Sequence, residues 1–474
     1  MSRLRVLAIR FVAASHRVSL VLAGLAVFLA PSPLRADESR EALNAGRKLL
    51  AEGDELADKG ETTEAVLRYK KAFEKLLPVM RKIPFTSEVK GDVTAREALK
   101  DVLLKEIEEE ITPEEFRADE LGMKALGLLP AEIDLKEVMI KIYSEEIAAF
   151  YDPKTKTMHL IKEPEAVARK KPGLLERLLG KTGGFDKDEN KTVIAHELTH
   201  ALADQNYDIE AMQKAIKDDD DRDLALSALI EGEATLTMIG AQMEDWDGSV
   251  VRDIPAANLD RIFSILTPLL PMTSGRSLRE APAILSESMI FPYLRGMVFC
   301  ARLTNDGGWD ALSAAYKRPP LSTEQILHPE KYSAQPDPPT FVNLGTLDPG
   351  EGWKEVGRNV VGEMQTAVLL RRHGGKTAAA GWDGDRFAVF EGPGGRLGLV
   401  WFSTWDTEKD AKEFQEGYVR FQATKLDEKA KDAAHVVQRA GQDVVVVEGF
   451  SDETTERLIA SALKARKTEM SHER

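Results

Sequence analysis

Apolar residues recur every three or four positions in the segment 37–80, which is otherwise polar and charged. A first run ends at Leu50, Gly60 interrupts the pattern, and a second run begins at Ala65. Positions three and four apart share one face of a helix, so the pattern predicts two amphipathic helices joined near the glycine. One helical hairpin cannot bury its own apolar face, and we therefore expect residues 37–85 to pack on the next domain.

The middle of the chain, up to residue 335, has the pattern of a helical domain with one small β element. Apolar positions at helical spacing predict helices around 95–110, 113–127, 135–148, 223–242, 255–270, 278–304 and 307–316. The β-prone segments 148–151 and 157–161 flank Asp152-Pro153 and predict a β-hairpin. The segment 171–191 is rich in Gly and charge and predicts a loop.

Proline and glycine cluster at residues 333–350 and mark a boundary. Beyond it, the pattern predicts helices near 361–372, 408–424 and 452–466 and strands near 385–391, 396–403 and 443–449. This order indicates a small α+β domain with an antiparallel sheet. Its two histidines, His373 and His435, lie in loop-like contexts and are expected to be solvated.

The N-terminus has the pattern of a secretory signal peptide. Four arginines precede a 13-residue apolar run at 18–30, and a polar stretch then ends at Ala36. The run is too short to span a membrane comfortably, and no Cys follows it that could carry a lipid. We expect cleavage near Ala36 and export to the periplasm or the medium.

Charge and cysteine content narrow the classes of function. The net charge of −15 becomes about −20 after cleavage, since five Arg and no acid are removed. Such acidity argues against binding to nucleic acid or to anionic lipid, and no second long apolar run predicts a membrane span in the mature chain.

Cys300 is the one cysteine, so no intrachain disulfide forms, and its apolar neighbours predict a buried packing residue. The acidic run 218–221 is expected to be a solvated loop rather than a calcium site.

The segment 192–200 contains several closely spaced residues of the kinds that bind metals and transfer protons. His196-Glu197-Leu198-Thr199-His200 is an H-E-x-x-H within an apolar stretch that begins at Thr192. On a helix, positions i and i+4 share a face, so both His rings can bind one Zn²⁺. Glu197 can then take a proton from a water activated by the metal and pass it to a leaving amine. With 8 His in 474 residues, a chance match has odds on the order of one in a hundred, which disfavours a solvated helix with two unrelated His.

The predicted helix 223–242 supplies the third ligand. Glu231 lies in the middle of its apolar stripe, and a lone buried carboxylate is costly unless it is paired or bound to a metal. Ala228 and Gly232 are small enough to let this helix approach the His helix closely. Glu233 points elsewhere and is expected to be solvated or to support a ligand, with the reverse assignment of the two carboxylates left open. Two His and one Glu leave a fourth position for water, which is typical of a catalytic site.

HELTHAL at residues 196–202 and EGEAT at residues 231–235 resemble the gluzincin branch of zinc metallopeptidases, the thermolysin-like clan. The resemblance implies that His196, His200 and Glu231 bind the metal and that Glu197 is the catalytic base. It also implies a mostly helical zincin-like domain with a small edge sheet. Thermolysin-like enzymes carry an Asp four residues after the ligand Glu, where it supports a ligand His. This chain has Thr235 there, and Asp204 is the candidate for that support.

A looser resemblance extends to a set of exported bacterial proteins that share the strings AAFYDPKTKT, HELTHAL and STEQILHPEKY. This looser resemblance indicates the type of reaction but not the substrate. The first string is the predicted hairpin, and in zincins the strand before the metal helix is commonly a sheet edge that binds extended substrate. A purely structural hairpin fits the sequence equally well. His159 faces opposite to Met158 and Leu160 and is expected at the surface or beside a ligand rather than as one.

The third string, at residues 322–332, is a polar cluster in which Ser322 or Thr323 can cap a short helix that Pro329 ends. A hydrolytic zinc site benefits from a donor to the developing oxyanion. His328 and Tyr332 are the candidates for that role. The structural alternative is a helix end with a polar rim.

These patterns predict an α+β chain with four parts. They are a signal peptide at 1–36, a helical hairpin similar to one tetratricopeptide unit at 37–85, a zincin-like metallopeptidase domain at 86–335, and an α+β domain at 336–474. The last could recognise substrate, anchor a partner or cover the core, and the hairpin is a second surface for a protein partner.

The predicted function is an exported, zinc-dependent metallopeptidase that acts on a peptide or protein substrate. Two alternatives remain. One is a non-catalytic envelope scaffold that retains a zinc site, and the other is a zinc hydrolase of a non-peptide amide. The intact Glu197 favours an enzyme, because a structural site needs no base.

Overall fold

The computed structural model describes most of the chain after residue 36. The described residues are 37–95, 99, 101, 104–105, 111–147, 149–162, 186–216, 218–266, 276–425 and 433–472. The predicted signal peptide, most of the predicted helix 95–110 and residues 171–185 of the predicted loop lie outside them.

The first described elements are the two helices of the predicted hairpin, α1 (Asp37–Asp58) and α2 (Thr62–Arg81). Helix α2 buries a continuous face that includes Tyr69, Phe73 and Leu76. This face belongs to the main hydrophobic core of the molecule. The hairpin therefore packs on the rest of the chain and so buries the apolar face that it cannot cover by itself.

A small three-stranded sheet follows. It consists of β1 (Lys90–Ala95), β2 (Ala149–Asp152) and β3 (Thr157–Lys162), with helices α3 (Pro113–Leu126) and α4 (Leu135–Glu146) between its first two strands. The order is β1-β3-β2, with β1 parallel and β2 antiparallel to β3. The predicted hairpin is confirmed, and β2 is an edge strand. Strand β1 was not predicted.

A group of helices then forms the centre of the molecule. They are α5 (Lys187–Tyr207), α6 (Ile209–Ala215), α7 (Asp220–Gln242), α8 (Ser249–Arg252), α9 (Ala256–Leu266), α10 (Arg276–Glu280) and α11 (Ala283–Lys317). Residues 187–191, expected in a loop, instead form the first turn of α5, because the Asp186 side chain accepts hydrogen bonds from the N–H groups of Asp188 and Glu189. Helix α11 is interrupted at Gly307 and Gly308, where two separate helices were predicted.

Helices α5 and α7 are buried around most of their circumference. The segments 192–204 and 223–240 contain no exposed residue. By length and composition α7 and α11 could each cross a membrane, but 94% and 67% of their apolar windows lie inside the protein. Helices of this kind are also typical of large protein cores.

The acidic run 218–221 does not form the expected solvated loop. The Asp219 side chain caps α7 by accepting from the N–H of Arg222, and Asp220 and Asp221 are buried in the first turn of the helix. Asp221 accepts two hydrogen bonds from Thr323. The run therefore leads into the first turn of α7, which packs against the later segment that contains Thr323.

The remaining elements form the C-terminal third of the chain. They are α12 (Thr323–Leu327), α13 (Pro329–Tyr332), β4 (Thr340–Asn343), β5 (Lys354–Asn359), α14 (Gly362–Leu369), α15 (Lys376–Ala379), β6 (Trp382–Glu391), β7 (Leu397–Trp405), α16 (Glu408–Lys425), β8 (Ala434–Ala440), β9 (Asp443–Phe450), α17 (Asp452–Ala462) and β10 (Arg466–Glu469). A five-stranded antiparallel sheet has the order β5-β6-β7-β9-β8, and β4 pairs with β10.

The predicted α+β order is confirmed, but β4, β5, β8 and β10 were missed. His435 lies in β8 and not in a loop, and both of its ring nitrogens are buried. His373 lies in a turn, half-buried, with its ring centroid 6.0 Å from that of Phe421. Neither histidine is the solvated residue that was expected.

One main hydrophobic core runs through the molecule and includes residues on both sides of the predicted boundary at 336. Strand β7 shows how the sheet joins it. Leu399, Trp401 and Trp405 face the main core, whereas Val400 and Phe402 face a second, smaller cluster beneath α17. Helix α3 packs against β5, β6 and β7 and so connects the helical part to the sheet.

Candidate metal centre

Helix α5 holds the H-E-x-x-H residues in the middle of its buried stretch. His196 is 1% exposed, Glu197 is 0% exposed and His200 is 6% exposed. The i, i+4 spacing brings the two His Nε2 atoms to 3.0 Å from each other. Two ring nitrogens at this distance are close enough to bind one metal ion together.

Glu231 of α7 completes the group. Its Oε2 lies 3.1 Å from His196 Nε2 and 3.6 Å from His200 Nε2. Ligand atoms at about 2.0–2.1 Å from a tetrahedral metal are about 3.3 Å from one another, which matches these three separations. Of the described residues, these three form the His, Cys, Asp and Glu group that could hold a metal ion. The structure thus brings together the three predicted ligands.

Several buried polar atoms of the group make no hydrogen bond within the protein. They include Nδ1 of His196 and of His200 and Oε1 of Glu231. Burial lowers the pKa of His196, against the opposing effect of Glu231. Burial would also lower the pKa of His200, but the charge of Glu231, its hydrogen bond and the charges of Glu197 and Glu233 together raise that pKa to about 9. Burial would raise the pKa of Glu231, yet His200 and His196 bring it down to about 2.

A negative charge on Glu231 is therefore held against two imidazoles in a buried site. Two nitrogen donors and one carboxylate oxygen, converging with the right separations, fit a divalent cation such as zinc.

Glu197 lies beside this group with both carboxylate oxygens buried and without a hydrogen bond of normal geometry. Burial raises its pKa to about 8, which the His200 charge and the nearby backbone N–H of Tyr151 in β2 partly oppose. A bound cation would favour the ionised carboxylate further. The arrangement leaves Glu197 available to accept a proton from a molecule at the metal.

Tyr293 of α11 also belongs to the site, and sequence reasoning missed it. It is 4% exposed, and its ring is nearly parallel to that of His196, with centroids 6.0 Å apart. Burial, followed by the charges of Glu231 and Glu197, raises the pKa of Tyr293 well above its usual value. The hydroxyl is therefore a neutral donor close to both carboxylates.

Glu233 lies apart from the metal ligands. It is buried, although one of the two expectations was that it would be solvated. It is 1% exposed, and its carboxylate forms an ion pair with Arg81 of α2 and accepts a hydrogen bond from Tyr316. Glu231, not Glu233, lies against the two histidines.

Asp204 does not support a ligand histidine. Its Oδ2 instead accepts hydrogen bonds from the Tyr151 hydroxyl at 3.0 Å and from Lys156 Nζ at 2.6 Å. The carboxylate holds the β2–β3 hairpin against α5, because both partners belong to that hairpin. His159, on the same hairpin, stacks on Phe150, and its Nδ1 lies 3.4 Å from Asp92 Oδ2. These contacts place it outside the group of metal ligands.

His328 and Tyr332 use their polar atoms elsewhere. His328 Nε2 lies 3.0 Å from Glu363 Oε1, and the Tyr332 hydroxyl donates to the Arg318 carbonyl at 2.7 Å. Ser322 caps α12, as the structural alternative for this segment supposes. These contacts give no support to a role for either residue at the metal site. Cys300 is buried, as expected, and its Sγ lies 3.5 Å from the Leu229 carbonyl oxygen.

Comparison with known proteins adds one partial match. Residues 350–459 match the model of a domain of unknown function, DUF8575. This segment lies within the C-terminal sheet region and contains none of the residues of the metal centre. Neither a curated protein nor a solved structure matches the chain.

Proposed function

We propose that the protein is a zinc-dependent metallopeptidase of the gluzincin type. The observation that carries the proposal is the convergence of His196, His200 and Glu231 on one point, with the unpaired Glu197 carboxylate beside it. Three protein ligands leave a fourth position for water or substrate, as in catalytic zinc sites. A structural site would use a fourth protein ligand and would gain nothing from a buried acid at its open side.

A zinc ion held by these residues would supply Lewis acidity for the scissile carbonyl and for water. Glu197 accepts the proton as the water oxygen attacks the carbonyl carbon, and the π electron pair moves to the carbonyl oxygen. The pair returns as the C–N bond breaks, and Glu197 gives its proton to the leaving amine. The hydrophobic surroundings of α5 and α7 exclude bulk water from this exchange.

The position of β2 favours a peptide over other amides. It is an edge strand of the small sheet, and the backbone N–H of Tyr151 lies near Glu197. An extended peptide that paired with this edge would present its carbonyl to the metal group. We further propose that the enzyme is exported, on the strength of the N-terminal sequence, and acts on protein or peptide in the periplasm or the medium.

The test measures zinc content and cleavage of casein and of a peptide library by the full chain. Wild type is compared with Glu197→Gln and with Asp188→Asn, a matched change from acid to amide at an exposed position of the same helix. We expect one zinc per chain in all three and cleavage that is lost in Glu197→Gln alone.

Zinc bound without cleavage by wild type would favour the non-catalytic scaffold. Cleavage of simple amides without cleavage of peptides would favour the third alternative. Absence of zinc from wild type would refute the proposal.

A further inference from the structure

A cleft of about 400 Å³ opens between the helical part of the molecule and the C-terminal sheet. One wall is α3, another is the segment that leads from Ile216 into α7, and the third is formed by β5 and β6. Of the described residues that line the cleft, none belongs to the metal centre. Asp220 precedes Glu231 by eleven positions on α7, which is roughly 16 Å along the helix axis. The cleft is therefore a surface separate from the metal centre.

The buried lining residues of the cleft are mostly apolar, and we call them its floor. Met123 and Leu126 of α3 and Phe387 of β6 belong to it. The Phe387 ring lies close to α3, since a Cβ atom on Gly122 would be 3.4 Å from its nearest atom. Apolar residues at the base of an open cleft favour a ligand with an apolar body.

Acidic side chains also line the cleft. Three of them, Glu114, Glu115 and Asp119, belong to α3. Two more, Asp218 and Asp220, lie where the chain enters α7. Acids are favoured in the first turn of a helix, which accounts for Glu114, Glu115 and Asp220. It does not account for Asp119 or Asp218. Carboxylates gathered at one cleft repel one another, and a cation bound among them would relieve that repulsion.

Arg358 is the one cation among the described lining residues, and its charge is used within the protein. Its Nε and Nη2 donate to the Glu355 carboxylate, and its Nη1 donates to the Gly345 carbonyl oxygen. The guanidinium is therefore directed to its own strand and the loop before it. The cleft keeps an acidic character that favours a positively charged ligand.

Hydrogen bonds between the walls hold the cleft in shape. The backbone N–H of Asp220 donates to Asn359 Oδ1 at 2.8 Å, and Arg386 Nη1 donates to the Asp218 carbonyl oxygen at 2.7 Å. These bonds join the start of α7 to β5 and β6. A cleft that is formed in advance loses little conformational freedom when a ligand binds, so weak contacts suffice for measurable affinity.

We propose that this cleft is a docking site for a basic, amphipathic segment of a partner protein, in which apolar side chains alternate with lysine or arginine. The apolar side chains cover the floor, and the cations pair with the carboxylates around it. A polyamine would match the charges, but its thin methylene chain would leave most of the floor uncovered. The inference goes beyond the proposed function and holds whether or not the metal centre is catalytic.

The experiment measures, by fluorescence anisotropy, the binding of a short amidated peptide of alternating leucine and arginine to the full chain. The peptide carries a neutral dye. One comparison peptide has glutamate in place of arginine, and another has glycine in place of leucine. The first tests the need for positive charge and the second tests the need for apolar side chains.

Wild type is compared with Glu114→Gln/Asp218→Asn, which removes one charge from each of two walls. Asparagine suits position 218, where φ is 51°, because it tolerates left-handed backbone. The matched control is Glu137→Gln/Asp188→Asn, the same pair of changes at exposed positions that do not line the cleft.

We expect the leucine–arginine peptide to bind wild type and the control variant equally. It should bind Glu114→Gln/Asp218→Asn roughly fivefold to tenfold more weakly, because each partly exposed charge pair contributes modestly. Binding to wild type should weaken as salt is added, since salt screens the charges. Both comparison peptides should bind more weakly than the leucine–arginine peptide.

Equal affinity of the cleft variant and the control variant would overturn the inference, and so would equally tight binding of the glycine–arginine peptide. Displacement of the bound peptide by an equal concentration of spermidine would overturn the choice of a peptide and identify a polyamine instead. Mass spectrometry after each titration shows whether the peptide is intact. Cleavage by wild type that Glu114→Gln/Asp218→Asn loses would make the cleft a substrate contact and overturn its assignment to a partner.

Discussion

At the scale of single residues, Arg81 and Glu233 form a buried ion pair outside the metal centre. Both side chains are at most 1% exposed, and the Arg81 guanidinium carbon lies 4.8 Å from the centre of the Trp309 ring. Two of its nitrogens, Nη1 and Nη2, make no hydrogen bond within the protein. The pair links the N-terminal hairpin to the helix that carries Glu231.

We predict that Arg81→Met lowers the free energy of unfolding by about 3–5 kcal/mol, because it leaves the Glu233 carboxylate buried without its cation. Urea unfolding measures the change. The double variant Arg81→Met/Glu233→Met should recover most of the loss, since it removes both charges together. Equal stability of the single variant and the wild type would contradict this cost of the unpaired Glu233 carboxylate.

The residues of the metal centre differ in how far sequence could reveal them. His196 and His200 lie four residues apart, so their spacing alone predicts a shared face, and Glu197 lies beside that face. Glu231 could be predicted because a single carboxylate in an apolar stripe is costly to bury unless it is paired or bound to a metal. Tyr293 gave no such signal, because its position depends on how two helices cross.

At the scale of elements, the contact between α7 and α11 determines the geometry of the site. Helices normally pack at about 8–10 Å between axes, with side chains filling the space between them. Here Gly232 and Gly296 remove those side chains, and the backbones meet directly.

We predict that Gly296→Ala lowers the free energy of unfolding by roughly 1–3 kcal/mol and also lowers kcat, because the added methyl pushes α11 and Tyr293 away from Glu231. Gly122→Ala on α3 is the control. Its Cβ would lie 3.4 Å from the nearest Phe387 atom, an ordinary contact, so it should keep both stability and rate. Thermal melting and peptide cleavage distinguish the two variants, and a Gly296→Ala variant with wild-type properties would contradict the close crossing.

Helices were easier to predict than strands in this chain. The helical pattern repeats over many turns in α2, α7 and α11, and the Gly-Gly break in α11 was visible in the sequence. Strands β1, β4 and β10 have four to six residues, too few for alternation to be distinctive. Strand β8 is half-exposed along its length, and its pairing with β9 is a tertiary contact that no local pattern records.

At the scale of the whole molecule, Lys331 joins the helical part to the C-terminal sheet. Its Nζ lies 2.7 Å from Glu324, 2.9 Å from Asp337 and 2.6 Å from Asp406. Burial raises the pKa of Glu324 to about 9 even with the lysine beside it. Together with the hydrogen bond from His328 to Glu363, this cluster gives residues 322–332 a structural role, which was the structural alternative left open by the sequence.

We predict that Lys331→Met lowers the free energy of unfolding by roughly 1–3 kcal/mol, because it removes charged hydrogen bonds from partly buried acids. Lys409→Met, which removes an exposed lysine from α16, should leave the urea midpoint unchanged. If the two variants have the same midpoint, the cluster does not hold the two parts together.

The attachment of α3 to the five-stranded sheet has a consequence for other proteins. The matched domain at 350–459 contributes Trp401 and Trp405 to a core that also contains α3 residues such as Met123 and Leu126. Those helical residues lie outside the matched segment. A relative that carries the domain without a counterpart of α3 would therefore leave an apolar sheet face uncovered. Such a protein has to recruit its own helix or a partner's to that face, and the sequence joined to the domain is where that substitute should be sought.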